Sequence, residues 1–208
     1  MTTIDCSVRD HDGVRHRLVQ VVAQVLARHD AALGAHVRRV GHLAGLLAAR
    51  LDLEPCERRA VEDAGVVHDV GKLGVPRLLL DKRGPLSAIE RGEIERHAAI
   101  GARTLGALSD AFSPLAAGVR AHHERWDGNG YPDRLRGEEI PRIARVLSVI
   151  DVYDALTHAR AYRDPMTASQ AREYLEEHAG TQFDPQCVDA AVEVLWEQDR
   201  GLRRFALS

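Results

Sequence analysis

Apolar positions recur along the chain at steps of three and four, and the strict alternation that marks a half-buried strand is scarce. Val14 to His29 reads as a first amphipathic helix. Val37, Val40, Leu43, Leu47 and Leu51 form the apolar stripe of a second, about 18 residues long. Pro55 suits the first turn of a third, running to about Val70, because a helix start leaves its N–H groups unpaired anyway. Ser87 with Glu90 makes a capping box that opens a helix through Leu108. Pro114 opens another that ends near His123, and Pro141 a further one reaching about Tyr162. Thr167 with Gln170 caps the next, and Asp184-Pro185 starts the last, through Trp196. Gly71, Gly74 and Pro76 punctuate this pattern once, and Gly128, Gly130 and Pro132 again. No internal repeat, low-complexity tract or long linker interrupts it. The pattern predicts one all-α domain of about seven to nine helices over residues 30–208, preceded by an N-terminal helical extension over residues 1–29.

Composition narrows the function classes. The 208 residues are 45% apolar and 28% charged, the balance of an ordinary globular chain with a sizeable core. A net charge of −3 excludes the bulk basic field that holds nucleic-acid polymers, and 4% aromatics leaves few base-stacking platforms. An anionic substrate would have to be drawn by local positive charge, from an arginine cluster or a bound metal. No apolar run approaches the roughly 20 residues that span a bilayer. The start, MTTIDCSVRDHDG, lacks a basic segment followed by an apolar one, so a cytoplasmic setting is expected. Cys6, Cys56 and Cys187 stand far apart, which argues against a disulfide framework and against a thiolate metal site.

The eleven histidines are the unusual number. His11, His16, His29, His42, His158 and His178 fall in no informative pattern. His36 shares a helical face with Val40, Leu43 and Leu47, so it should look inward. His68 ends the helix that carries Val61 and Ala64, and Asp69 follows it directly. His97 belongs to the stripe Ile94, Gly101, Leu105, Leu108. His122 and His123 are adjacent, and Asp151 lies one turn beyond Leu147 on a mostly apolar helix. Independent helices thus aim five imidazoles and two carboxylates into the interior. Unrelated His–Asp hydrogen bonds would be the plain explanation, but buried carboxylates and clustered imidazoles need partners. A metal site supplies them. Imidazole and carboxylate without thiolate suits iron, manganese, zinc, cobalt or nickel. Seven candidate ligands exceed the needs of one ion, and two ions bridged by a carboxylate are the natural reading.

His68-Asp69-Val70-Gly71-Lys72-Leu73-Gly74-Val75-Pro76 resembles the HDxGKxGxP signature of the HD-GYP domain, a branch of the HD metal-dependent phosphohydrolases. His122 to Pro132, HHERWDGNGYP, fits its HHExxDGxGYP signature without a gap. Asp151-Val152-Tyr153-Asp154-Ala155-Leu156, followed by Arg160, Tyr162 and Arg163, is similar to the third motif, and the likeness spans about residues 30 to 196. The resemblance implies an all-α HD fold and a phosphodiesterase that opens cyclic di-GMP to linear pGpG, and onward to GMP. It implies two divalent ions, with iron or manganese ahead of zinc, cobalt or nickel. His36, His68, Asp69 and Asp151 correspond to ligands of the first ion. His97, His122 and His123 correspond to those of the second, with Asp69 bridging. Asp69 and Lys72 are the implied catalytic residues, and Lys72, Tyr131, Arg160 and Arg163 the implied substrate contacts.

The residues themselves fit these roles. Lys72 and Lys82 are the only lysines in a chain that otherwise uses arginine. A compact ammonium fits beside two metals where a planar guanidinium would not. Arg160 and Arg163 stand one turn apart and can reach one phosphate. Tyr131 can stack on a base. Two positions depart from the pattern. Members with a third metal carry glutamate four residues before the first ligand histidine, where this chain has Ala32, and Arg134 stands where the loop usually has glycine. Two alternatives remain. One is a hydrolase of another cyclic dinucleotide or nucleotide. The other is a catalytically silent regulatory module that docks a diguanylate cyclase (GGDEF) through the GYP loop; the filled ligand positions disfavour it. A homodimer stays open.

Overall fold

The computed structural model describes residues 9–158 and 164–206. Among them are nine α-helices: α1 (Arg9–His29), α2 (Ala31–Arg50), α3 (Pro55–Val67), α4 (Arg77–Leu80), α5 (Ala88–Gly106), α6 (Ser113–Ala121), α7 (Arg142–Thr157), α8 (Ala168–Glu177) and α9 (Pro185–Ala206). No strand occurs among the described residues, only an isolated bridge between Ala179 and Phe183. The fold is all-α, as the periodicity predicts.

Local chemistry sets the helix boundaries. Asp30 separates α1 from α2 in an extended conformation, and its Oδ1 accepts from the N–H groups of Ala32 (2.8 Å) and Leu33 (3.0 Å). Ser87 caps α5 and Thr167 caps α8, each with the reciprocal contact from the residue three places on. α7 stops at Thr157 rather than near Tyr162. There His158 turns extended, and the Met166 N–H bonds the Leu156 carbonyl. Pro165, just beyond, disfavours helix in the residue before it. α9 runs ten residues past Trp196, and the short α4 has no clear apolar stripe to announce it.

The core lies where α2 packs along α3, with α6 and α7 across them. Val40, Ala44, Leu47, Val61, Ala64, Leu115, Val119, Leu147 and Ile150 are fully buried there. Burying each larger side chain contributes about 1.5–3 kcal/mol, which is what holds these four helices against one another. Val19 and Ala23 of α1 join the same cluster. Cys187 is a buried free thiol, whereas Cys56 is disulfide-bonded, a pairing that spacing along the chain does not reveal.

Candidate metal centre

The centre sits where α2, the end of α3, α5, the end of α6 and α7 meet. His36 Nε2 lies 3.3 Å from His68 Nε2 and 3.2 Å from Asp151 Oδ1. Asp69 Oδ2 is 3.3 Å from His68 Nε2 and 3.7 Å from His36 Nε2. On the other side, His97 Nε2 lies 3.4 Å from His122 Nε2 and 3.2 Å from His123 Nε2. Asp69 Oδ1 reaches 3.4 Å from His97 Nε2. One carboxylate therefore faces two imidazole groups, with a different oxygen to each. His36–His68–Asp69, His97–His122–His123 and His68–His122–Asp151 each gather three ligand atoms within 4.8 Å of one another.

The outward nitrogens decide what the inward ones can do. His68 Nδ1 donates to the Gly65 carbonyl (2.8 Å), His97 Nδ1 to that of Ile94 (2.7 Å) and His122 Nδ1 to that of Val119 (2.6 Å). A carbonyl can only accept, so each Nδ1 carries the proton and each Nε2 presents a lone pair to the centre. Gly65 and Val119 lie in the last turns of α3 and α6, where carbonyls lack intrahelical partners. His36 Nδ1 donates to Asp154 Oδ2 (2.8 Å), and Arg39 holds the same carboxylate through Nε (2.6 Å) and Nη2 (2.9 Å). Outer partners of this kind fix ring orientation at metal sites. Lone pairs facing each other at hydrogen-bond distance repel, and a cation among them removes the repulsion. The donor set fits divalent transition metals.

Burial pushes His97 and His122 below the ordinary imidazole range and His123 down to about 4, so these rings are neutral and ready to ligate. In His36, burial is outweighed by the hydrogen bonds to Asp151 and Asp154, which raise it to about 9. Burial also opposes the ionised form of Asp69, yet the Lys72 charge beside it holds it well below the usual carboxylate range. Lys72 Nζ is 2.6 Å from Asp69 Oδ2.

The loop after α6 covers one side of the centre. The Tyr131 ring stacks on His123, with centroids 4.8 Å apart and planes at 29°. Glu124, buried at 3% exposure, accepts from the N–H groups of Asp133 (2.6 Å) and Leu135 (3.2 Å) and so pins the far arm of the loop. A Cβ on Gly130 would stand 2.4 Å from the Arg125 nitrogen and 2.5 Å from Glu124 Cα, so only glycine lets the arms close. Arg134, in the position where glycine is usual, takes a left-handed φ of 56°.

The structure brings His36, His68, Asp69, His97, His122, His123 and Asp151 together and sets Lys72 and Tyr131 at their edge. Arg160 and Arg163 lie outside the described residues. Asp154 and Arg39 stand outside the set of residues that the sequence marks. Asp154 lies one turn after Asp151, and that spacing is the one signal for it.

The model of the HD domain family matches residues 20–187. The cyclic di-GMP phosphodiesterase response regulator of Xanthomonas campestris is 41% identical over 170 residues, 81% of this chain and 45% of that protein. The 3'3'-cGAMP-specific phosphodiesterase 2 of Vibrio cholerae is 36% identical over 187 residues, 89% of this chain and 36% of that protein. The chain thus spans less than half the length of these curated relatives. The solved HDG"Y"P protein of Bdellovibrio bacteriovorus shares the fold at a TM-score of 0.65 and 20% identity, covering 88% of this chain and 62% of that one. With the signature residues gathered around one centre and the family match over most of its length, the chain belongs to the HD domain family, in its HD-GYP branch.

Proposed function

We propose that the chain is a metal-dependent phosphodiesterase that hydrolyses cyclic di-GMP to linear pGpG and onward to GMP, with two divalent ions, iron or manganese foremost. The observation that carries this reading is the Asp69 carboxylate, which turns one oxygen to His36 and His68 and the other to His97. His36, His68, Asp69 and Asp151 would hold one ion, and Asp69, His97, His122 and His123 the other. The ions supply Lewis-acid charge to the phosphate oxygens and make water nucleophilic at neutral pH. Asp69, kept ionised, would hold both ions. Lys72 adds a compact positive charge where the phosphate enters, and Asp154 with Arg39 holds the His36 ring in its ligating orientation. Arg160 and Arg163 would grip the remainder of the substrate. A 3'3'-cGAMP substrate is the second reading, favoured by the Vibrio cholerae relative.

A third ion is not part of this proposal. Ala32 offers no ligand, and Asp30, the nearest acid, spends Oδ1 on capping α2 and keeps Oδ2 4.0 Å from Arg77. Protein purified without chelators should carry close to two ions per chain by elemental analysis and release pGpG from cyclic di-GMP. Stripping with EDTA should stop turnover, and Mn²⁺ or Fe²⁺ should restore it. Full turnover by metal-free protein would overturn the proposal.

Lys72→Ala should keep both ions and lose kcat/KM. A charge-assisted contact at a reacting phosphate is worth about 2–4 kcal/mol, or roughly 30- to 1000-fold. Loss of metal in this variant would contradict the substrate role, since Lys72 would then be acting through Asp69.

A further inference from the structure

Tyr131, besides stacking on His123, lines an open cleft of about 500 Å³ that continues away from the metal centre. Gly92, Glu95, Arg96 and Ala99 of α5 form one wall, and the loop with Tyr131 and Arg134 forms the other. The volume is within the range of small-molecule sites. Gly92 and Ala99 bracket Glu95 with small side chains, one turn to either side, which leaves room for a flat ring against the helix. Arg96 is held by Glu93 at 3.0 Å. The side chains of Glu95 and Arg134 make no hydrogen bond or ion pair among the described residues.

A carboxylate without a partner beside the entry of a doubly anionic substrate is repulsive unless donors on the substrate meet it. Guanine offers such donors. Its Watson–Crick edge carries N1–H and the N2 amino group side by side, and an ionised carboxylate has two acceptor oxygens in line to receive them. Adenine presents a ring-nitrogen lone pair at the same place, which a carboxylate oxygen repels. The Tyr131 ring supplies a stacking surface for the base. The Arg134 fork matches either the guanine O6 and N7 acceptors or a phosphate.

We propose that Glu95 is a specificity-determining residue that reads guanine in this cleft, so that the chain selects cyclic dinucleotides containing at least one guanine and rejects cyclic di-AMP. The inference rests on the cyclic dinucleotide reading above and adds which base the site recognises. It accommodates both cyclic di-GMP and 3'3'-cGAMP, because a single cleft needs a single guanine.

Binding tests it separately from catalysis. The probes are the hydrolysis-resistant bis-phosphorothioate analogues of cyclic di-GMP and cyclic di-AMP, titrated calorimetrically against the metal-loaded chain. Wild type should bind the guanine analogue more tightly by roughly ten- to hundredfold, the range of one good bidentate base contact. Glu95→Ala should remove most of that ratio. Glu95→Gln should weaken the guanine analogue and strengthen the adenine one, since an amide pairs with the donor and acceptor of adenine. Equal binding of both analogues by wild type, or equal loss on both in Glu95→Gln, would overturn the assignment. Selective binding that Glu95→Gln abolishes, in a protein that hydrolyses neither parent dinucleotide, would sustain Glu95 and sink the phosphodiesterase reading instead.

Discussion

Asp69→Ala should abolish cyclic dinucleotide hydrolysis and lower the content of both metals together. Each oxygen of this carboxylate serves a different imidazole group, whereas the short contacts of the other acid, Asp151 Oδ1, go to His36 at 3.2 Å and His68 at 3.8 Å, both of the first group. The loss should go well beyond the roughly 100-fold that removal of an outer partner costs at a metal site. The paired readout is elemental analysis and turnover on the same preparations. His16→Ala is the comparison: His16 Nδ1 bonds Asp63 Oδ1 at 2.6 Å, away from the centre, so its loss should leave metal content unchanged. Normal metal content in Asp69→Ala would refute the bridging role.

Gly71→Ala should be the most damaging single-methyl change near the site. The added Cβ would lie 1.9 Å from the His97 carbonyl oxygen and 2.6 Å from the Gly101 nitrogen. Both atoms belong to the α5 backbone, which cannot swing aside as a side chain would. The turn over Val70–Gly74 must therefore move off α5, drawing Asp69 away from His97. Overpacking of this kind costs about 1–3 kcal/mol, and backbone displacement puts the variant at or above the upper end. Urea denaturation would show the loss, and the metal content should fall with it. In Gly74→Ala the new methyl would meet only the Ile100 side chain, at 3.1 Å, so its loss should be smaller. Equal stabilities of Gly71→Ala and wild type would refute the close approach.

Much of this could be read from the chain because helical faces and contiguous motifs carry it. His36, His97 and Asp151 are each defined by neighbours three and four places away, and His68-Asp69 and His122-His123 by adjacency. Sequence could not give what depends on crossings between helices. Asp154 meets His36 across 118 residues and Arg39 across 115. Glu124 works by accepting N–H groups from a loop whose path is a tertiary matter. The early end of α7 reflects a competition between continuing a helix and the Met166–Leu156 contact, which apolar periodicity does not register. Glu95 lies on the opposite side of α5 from His97, in a polar stretch that looks like an ordinary solvated face until the loop closes over it.

His68, His97 and His122 each return their outer nitrogen to the carbonyl three residues earlier on their own helix. For His68 and His122 that carbonyl sits in a terminal turn, the part of a helix that opens first. Fraying of either end therefore releases a carbonyl and a ligand in the same event. A cation that binds only the closed form raises the free energy of that opening by mass action. With metal bound there, its retention and hydrogen-exchange protection of the α3 and α6 termini would be one equilibrium, and cation supply would set how often the centre comes apart.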